Sequence, residues 1–147
     1  MSLGLYIHIP FCIKKCNYCD FISYPDSFRF AESYIDAVIK EIKTYNGKRI
    51  DSIFIGGGTP TSIDVMLLEK LLSACFDNFK VSIDAEISIE ANPGTVTYDM
   101  LLRLRNSGVN RISFGVQSLN DNELKQLGRI HNAQMAFEAI ELARKAG

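Results

Sequence analysis

The chain has 147 residues, of which 47% are hydrophobic and 22% charged, a composition typical of a globular domain and not of a disordered segment. Sixteen Lys and Arg against 17 Asp and Glu give a formal net charge of −1, which argues against a broad basic surface for nucleic acid. The longest apolar run, residues 3–13, is interrupted by His8 and Pro10 and is too short to cross a bilayer, so we expect a cytoplasmic protein without a membrane span.

Four short apolar runs, rich in β-branched and aromatic residues, predict the strands of a sheet. They cover residues 5–9, 52–55, 86–90 and 111–116. Apolar residues at helical spacing follow each run, which predicts a helix after every strand. The last helix is expected to turn Ala136, Phe137, Ile140 and Ala143 inward and to stop at Gly147.

Polar residues mark the beginnings of two helices. Thr97 is a candidate N-cap for the third helix, and Gly108 is suited to end that helix. Asn120, with Glu123 three residues later, resembles a capping box and predicts a short fourth helix.

Strand and helix alternate four times, at roughly 35 residues per unit, which predicts right-handed βαβ crossovers and a parallel sheet. The predicted fold is therefore α/β with four consecutive βα units, and residues 1–147 show no linker that would divide them into two domains. A closed barrel of eight units takes about 250 residues, so we interpret the chain as the N-terminal part of a partial (β/α) barrel. A complete small open sheet is the alternative. Either sheet has two edge strands to cover, and pairing with a second copy of the chain would give a homodimer.

Three of the four cysteines lie close together immediately after the first predicted strand. Cys12, Cys16 and Cys19 follow a Cys-x3-Cys-x2-Cys spacing that suits an iron–sulfur cluster or another soft metal. A structural zinc site needs a fourth ligand, for which His8 is a candidate, and a loop without metal is the third alternative. Cys75 stands alone within a helical apolar stripe and is interpreted as a small buried apolar residue.

The other predicted strands also end in residues that suit a ligand site, and the carboxyl ends of parallel strands share one edge of a sheet. Residues 56–58 are all glycine, which permits close approach of the backbone to a ligand but also suits a tight turn. Glu90 and Gln117 offer side chains that hydrogen-bond a ligand. By position alone, Arg129 and His131 lie between two helices and are interpreted as solvated or capping residues.

Together these segments resemble the radical S-adenosylmethionine (SAM) superfamily. Within it they resemble the oxygen-independent coproporphyrinogen III oxidase-like group, and most of all its HemW-type haem-chaperone branch. The similarity extends from residue 5 to about residue 134 and rests on LYIHIPFC (5–12), CNYCDF (16–21), GGGTPT (56–61), EANP (90–93), FGVQS (114–118) and LGRIH (127–131).

The resemblance implies that Cys12, Cys16 and Cys19 ligate a [4Fe–4S] cluster whose fourth iron binds SAM. It also implies contacts to SAM from Tyr6, Tyr18, Gly57, Gly58, Thr59, Glu90, Gln117 and Arg129. A protein that donates electrons would reduce the cluster. The later strands and the C-terminal domain of the family are absent from this chain.

One position departs from the oxidase pattern. The oxidase carries a further cysteine two residues after the third, where this chain has Phe21. This departure and the LGRIH stretch favour a chaperone that binds and delivers haem. The alternative is the oxidase itself, which decarboxylates the propionates of a porphyrinogen, and whether the chain is an enzyme stays open.

Overall fold

A computed structural model describes residues 3–147. The strands are β1 (Leu3–Ile9), β2 (Phe11–Cys12), β3 (Tyr24–Pro25), β4 (Arg49–Gly57), β5 (Lys80–Ala91) and β6 (Arg111–Phe114). The helices are α1 (Ala31–Thr44), α2 (Val65–Asn78), α3 (Tyr98–Asn106), α4 (Asp121–Gln126) and α5 (Ala133–Ala146). The sheet that organises the domain has the strand order β1-β4-β5-β6, and all its pairs are parallel.

On one face of this sheet, isoleucines from three neighbouring strands lie side by side in register. Ile7 pairs with Ile55, which pairs with Ile89, and all three are buried. Apolar residues of α1, α2 and α3 complete the same core. Because each crossover moves one strand further in the same direction and the helices cover this face, the architecture is that of consecutive βα units in a barrel. The α/β prediction is confirmed, and the strand order favours the barrel fragment over the open sheet.

The predicted helix starts are confirmed at both places. The Thr97 hydroxyl accepts a hydrogen bond from the Met100 backbone N–H at 3.2 Å, and Asn120 caps α4 through its side-chain oxygen. The carboxylate of Glu123 does not complete a capping box, because it accepts from the hydroxyl of Ser118. Ser118 in turn accepts from the backbone N–H of Asn120, so the acidic residue acts through one intervening hydroxyl.

The predicted inward face of α5 is partly wrong. Ala136 is buried as predicted, but Phe137 is 53% exposed and Ile140 is 36% exposed. The buried positions are Ala136, Ala139 and Ala146, where α5 packs against α3 and the turn at Pro93–Thr95. Small side chains allow a close approach of the helices, and this packing turns the larger apolar residues outward.

Two further expectations concern buried and edge positions. Cys75 is completely buried in α2, as predicted, and burial raises the pKa of its thiol to about 12. Within residues 3–147, β1 and β6 are the outer strands of the sheet, and the homodimer stays a prediction. No helix in this described range combines the length and apolarity needed to span a membrane.

Two isoleucines of the sheet provide a matched test of this core. Ile55→Ala removes a fully buried side chain at the centre of the sheet, and it should lower the free energy of unfolding by ~2–5 kcal/mol. Ile83→Ala makes the same chemical change at a side chain that is 100% exposed, and its cost should be below ~1 kcal/mol. Urea unfolding of both variants checks this, and equal losses would contradict the assigned core.

Candidate functional site

The carboxyl ends of the strands surround an open cleft with a volume of about 310 Å³. The predicted site residues that line it are Cys12, Cys16, Tyr18, Cys19, Gly57, Gly58, Thr59, Glu90, Gln117 and Arg129. Of the residues predicted as ligand contacts, Tyr6 is the one that does not line this cleft. Side chains that are up to 117 residues apart along the chain therefore meet at one place, as the parallel topology requires.

The three clustered cysteines are free thiols on one wall of the cleft. Cys12 is buried at the short pairing of β2 with β3, and its sulfur lies 3.5 Å from the Thr59 hydroxyl. Cys16 and Cys19 are half-buried and joined by a turn in which the Cys19 backbone N–H donates to the Cys16 carbonyl at 3.1 Å.

Among residues 3–147, no three His, Cys, Asp or Glu side chains lie close enough together to hold one metal ion. An iron–sulfur cluster does not require such an arrangement, because each thiolate binds a different iron. Three thiols without a fourth protein ligand also leave one iron open to a small molecule. The donor set therefore fits a cubane cluster with an open position.

His8 anchors the loop that carries the cysteines. Its Nε2 donates to the carbonyl of Ile22 at 2.8 Å, and its Nδ1 lies 3.0 Å from the hydroxyl of Tyr6. Both ring nitrogens are thus occupied, which leaves neither of them for the zinc ion considered from the sequence. The contact instead fixes the far end of the cysteine loop to β1.

Tyr6 lies outside the cleft, at a second cavity of about 250 Å³ along the outer edge of β1. Its ring stacks on Phe54 with 6.0 Å between ring centroids. Burial and the nearby carboxylate of Glu90 raise the pKa of its phenol. The predicted contact of Tyr6 with a cofactor stays a prediction.

The glycine loop after β4 packs directly against the chain that leaves β1. The backbone N–H of Gly58 donates to the Ile9 carbonyl at 2.9 Å, and that of Thr59 donates to the Phe11 carbonyl at 2.7 Å. A Cβ at position 58 would lie 2.6 Å from the Phe11 carbonyl oxygen and 3.0 Å from the Cys12 sulfur. Glycine is therefore required here by the close approach of two backbones.

Gly57, at the end of β4, and Glu90, near the end of β5, line the cleft side by side. Gly57 has a φ of +115°, and a Cβ there would lie 2.7 Å from the His8 ring. Its backbone N–H donates to a carboxylate oxygen of Glu90 at 3.1 Å. This hydrogen bond holds the half-buried carboxylate in place and leaves acceptor capacity for a ligand.

Gln117 follows β6 in a strained turn. Its φ is +69°, and the Ser118 backbone N–H donates to the Val116 carbonyl at 2.9 Å across it, which makes a γ-turn. A non-glycine residue in this conformation costs ~1–3 kcal/mol and is found most often at functional sites. The turn presents Gln117 to the cleft.

His131 holds this turn in place through a hydrogen bond to the carbonyl of Val116. Its side chain is only 4% exposed, its Nε2 donates to the Val116 carbonyl at 3.0 Å, and its Nδ1 lies 3.1 Å from the side-chain amide of Asn92. The interpretation of His131 as a solvated or capping residue is therefore wrong. Position between two helices did not reveal it, because its partners come from the ends of β5 and β6.

Arg129 lines the cleft, so the expectation from its position between two helices, that it is solvated, is wrong. The contact with SAM that the resemblance implies for Arg129 stays a prediction. The Nη1 of Arg129 donates to the Cys16 sulfur at 3.1 Å and lies 3.3 Å from the Tyr18 hydroxyl. Its Nη2 donates to the Gly115 carbonyl at 2.6 Å. The Nε of this guanidinium is buried and has no hydrogen-bond partner in the described structure.

Asn17 does not line the cleft, but it holds the cysteine loop in place, a role that was not predicted from the sequence. Its backbone N–H donates to the Leu127 carbonyl at 3.0 Å, and its side chain donates to the Gln126 carbonyl at 2.7 Å. Gly128, at a φ of +74°, leaves room for it, since a Cβ there would lie 2.9 Å from the Asn17 side-chain oxygen. Its position between Cys16 and Cys19 is the only sequence feature that could have identified it.

The amino-acid sequence matches a known protein family and several of its members. The profile of the Radical SAM superfamily matches residues 6–147. The chain is 42% identical over 148 residues to the haem chaperone HemW of Buchnera aphidicola subsp. Schizaphis graminum, covering 97% of this chain and 39% of that protein. It is 41% identical over 150 residues to HemW of Escherichia coli K12, covering 99% of this chain and 40% of the relative.

A solved structure is similar over the whole chain. Coproporphyrinogen III oxidase (HemN) of Escherichia coli, described as a radical SAM enzyme, superposes with a TM-score of 0.91 at 34% identity. The superposition covers 99% of this chain and 35% of that enzyme. The chain thus spans about 40% of the length of its HemW relatives and has the fold of the N-terminal part of HemN.

The buried histidine gives a prediction on pH. Burial, with a smaller contribution from Arg129, lowers the pKa of His131 below its usual 6.5. Below pH 6.5 the unfolded chain therefore binds more protons at this histidine than the folded chain does. The free energy of unfolding should decrease as the pH falls, by at most ~1.4 kcal/mol per pH unit. Urea unfolding at pH 7.5 and pH 5.5 should show a smaller difference in His131→Gln. An equal pH dependence in both proteins would contradict the assignment.

Proposed function

The chain belongs to the radical SAM superfamily, and we propose that residues 1–147 are the N-terminal domain of a haem chaperone that carries a [4Fe–4S] cluster and SAM. The observation that supports this most is one cleft lined by three free thiols, a carboxylate and a guanidinium, in a chain 41% identical to HemW. The superfamily implies the cluster and SAM, while the residues that bind them and the role of haem are proposals.

Cys12, Cys16 and Cys19 would supply the three thiolates of the cluster. The loop that bears them is tied to β1 through His8 and to α4 through Asn17, so the thiols are positioned before any cofactor binds. Such preorganisation lowers the entropic cost of binding. When bound, the cluster and SAM supply the one-electron chemistry of the superfamily, and the protein supplies orientation and exclusion of water.

The other cleft residues suit SAM, which carries an ammonium and a carboxylate on one carbon. Glu90 offers a carboxylate for the ammonium, and Arg129 offers a guanidinium for the carboxylate. The backbone and hydroxyl of Gly57, Gly58 and Thr59 would line one side, with Tyr18 and Gln117 at the others. Tyr6, which lines the neighbouring cavity along β1, is proposed as a further contact.

Haem binding is favoured over porphyrinogen decarboxylation by one position at the cleft. Phe21 is 63% exposed there, where the oxidase pattern carries a further cysteine. The similarity to HemN, at a TM-score of 0.91, supports the oxidase as second candidate. In both cases we propose haem or a porphyrinogen as the small molecule, an electron-donating protein as partner, and a cytoplasmic location.

The cysteine assignment is tested by a matched pair of variants. Cys16→Ala removes a proposed cluster ligand, so the purified, anaerobically reconstituted protein should lose most of its iron and acid-labile sulfide. Cys75→Ala makes the same change at a buried thiol in α2, and its iron content should equal that of the wild type. Equal iron loss in both variants would refute the assignment.

The function itself is tested in the full-length protein. We expect stoichiometric haem binding in an absorbance titration and no release of carbon dioxide from coproporphyrinogen III in the presence of SAM and a reductant. Carbon dioxide release would establish the oxidase in place of the chaperone. Absence of haem binding together with absence of carbon dioxide would exclude both candidates.

A further inference from the structure

Arg129 donates a hydrogen bond to Cys16, which is a proposed ligand of the cluster. A residue that only bound SAM would not need this bond. The Nη1 of Arg129 lies 3.1 Å from the Cys16 sulfur, and the same nitrogen reaches the Tyr18 hydroxyl at 3.3 Å. The residues come from opposite ends of the chain, 113 positions apart. A cation is therefore placed against one particular thiol among the three.

Two independent contacts hold this geometry. The Gly115 carbonyl, at the end of β6, accepts from Nη2 at 2.6 Å and so orients the planar guanidinium. Gly115 leaves little space beside it, since a Cβ there would lie 3.3 Å from Nη2. On the other side, Asn17 docks the cysteine loop on Gln126, the last residue of α4, and on Leu127, which follows it. Arg129 comes two residues later, so the cysteine loop is attached to the same short segment that carries the arginine.

The electrostatic consequence concerns the electron that the cluster accepts. Reduction adds negative charge to the irons and their thiolates, and hydrogen bonds to the sulfurs are one of the factors that set the potential. A guanidinium that donates to a thiolate stabilises the reduced form more than the oxidised form, because the sulfur of the reduced form carries more charge. The contact is partly buried, so solvent and salt screen it less than a surface pair.

We propose that Arg129 is a positioning residue that raises the reduction potential of the cluster through its hydrogen bond to Cys16, in addition to any contact with SAM. This inference rests on the proposed function and deepens it, since it concerns how readily the same site accepts its electron. It singles out Cys16 as the cluster ligand that the protein tunes.

The experiment is a redox titration of the full-length, reconstituted protein without SAM, followed by electron paramagnetic resonance. Arg129→Gln should shift the midpoint potential to a lower value while iron and sulfide content stay near those of the wild type. Lys14→Gln is the matched control, because it removes a cation that lines the same cleft. Its shift should be clearly smaller.

The outcomes separate this inference from the proposed function. A wild-type protein without iron and sulfide overturns both, whereas an unchanged potential in a fully loaded Arg129→Gln overturns the inference alone. Equal shifts in Arg129→Gln and Lys14→Gln also overturn it, since charge without the bond would then suffice. Loss of iron and sulfide in Arg129→Gln, with both retained in Lys14→Gln, also overturns the inference, because Arg129 would then be needed to hold the cluster and not only to set its potential.

Discussion

The close approach of the glycine loop after β4 to the chain leaving β1 is the constraint on which the site depends. Gly58 and Thr59 donate their backbone N–H groups to Ile9 and Phe11, and this bonding continues the parallel β1–β4 pairing beyond the last strand residues. Cys12 follows directly and is held against the loop. A larger side chain at position 58 would collide with the Phe11 carbonyl, so the first thiol and the glycine loop are positioned as one unit.

The rest of the cysteine loop is held from outside. The Cys16–Cys19 turn supplies one hydrogen bond within it, while His8 binds its far end and Asn17 and Arg129 attach its middle to the segment after α4. A loop with few internal bonds is ordered only when other elements fix it. The segment that carries Arg129 also carries His131, which supports the strained turn of Gln117. One stretch of chain therefore connects the thiols to the amide across the cleft.

Most of the fold was predictable, because strand and helix formation depend on local periodicity. The order of βα units, the caps at Thr97 and Asn120 and the burial of Cys75 all follow from residue spacing. The orientation of α5 did not, because an apolar stripe rich in alanine fits a neighbouring helix at more than one rotation. Packing against α3 selected the alanine face and left Phe137 exposed.

The site divides in the same way. The residue pattern alone puts three cysteines, a glycine loop, Glu90 and Gln117 at strand ends, and parallel topology then requires that they share one edge of the sheet. Three other features follow from the folded chain and not from that pattern: the bond of Tyr6 to His8 outside the cleft, the burial of His131, and the contact of Arg129 with Cys16. These contacts join residues from elements far apart in the chain. They depend on sheet register and side-chain direction, which no local pattern of residues encodes.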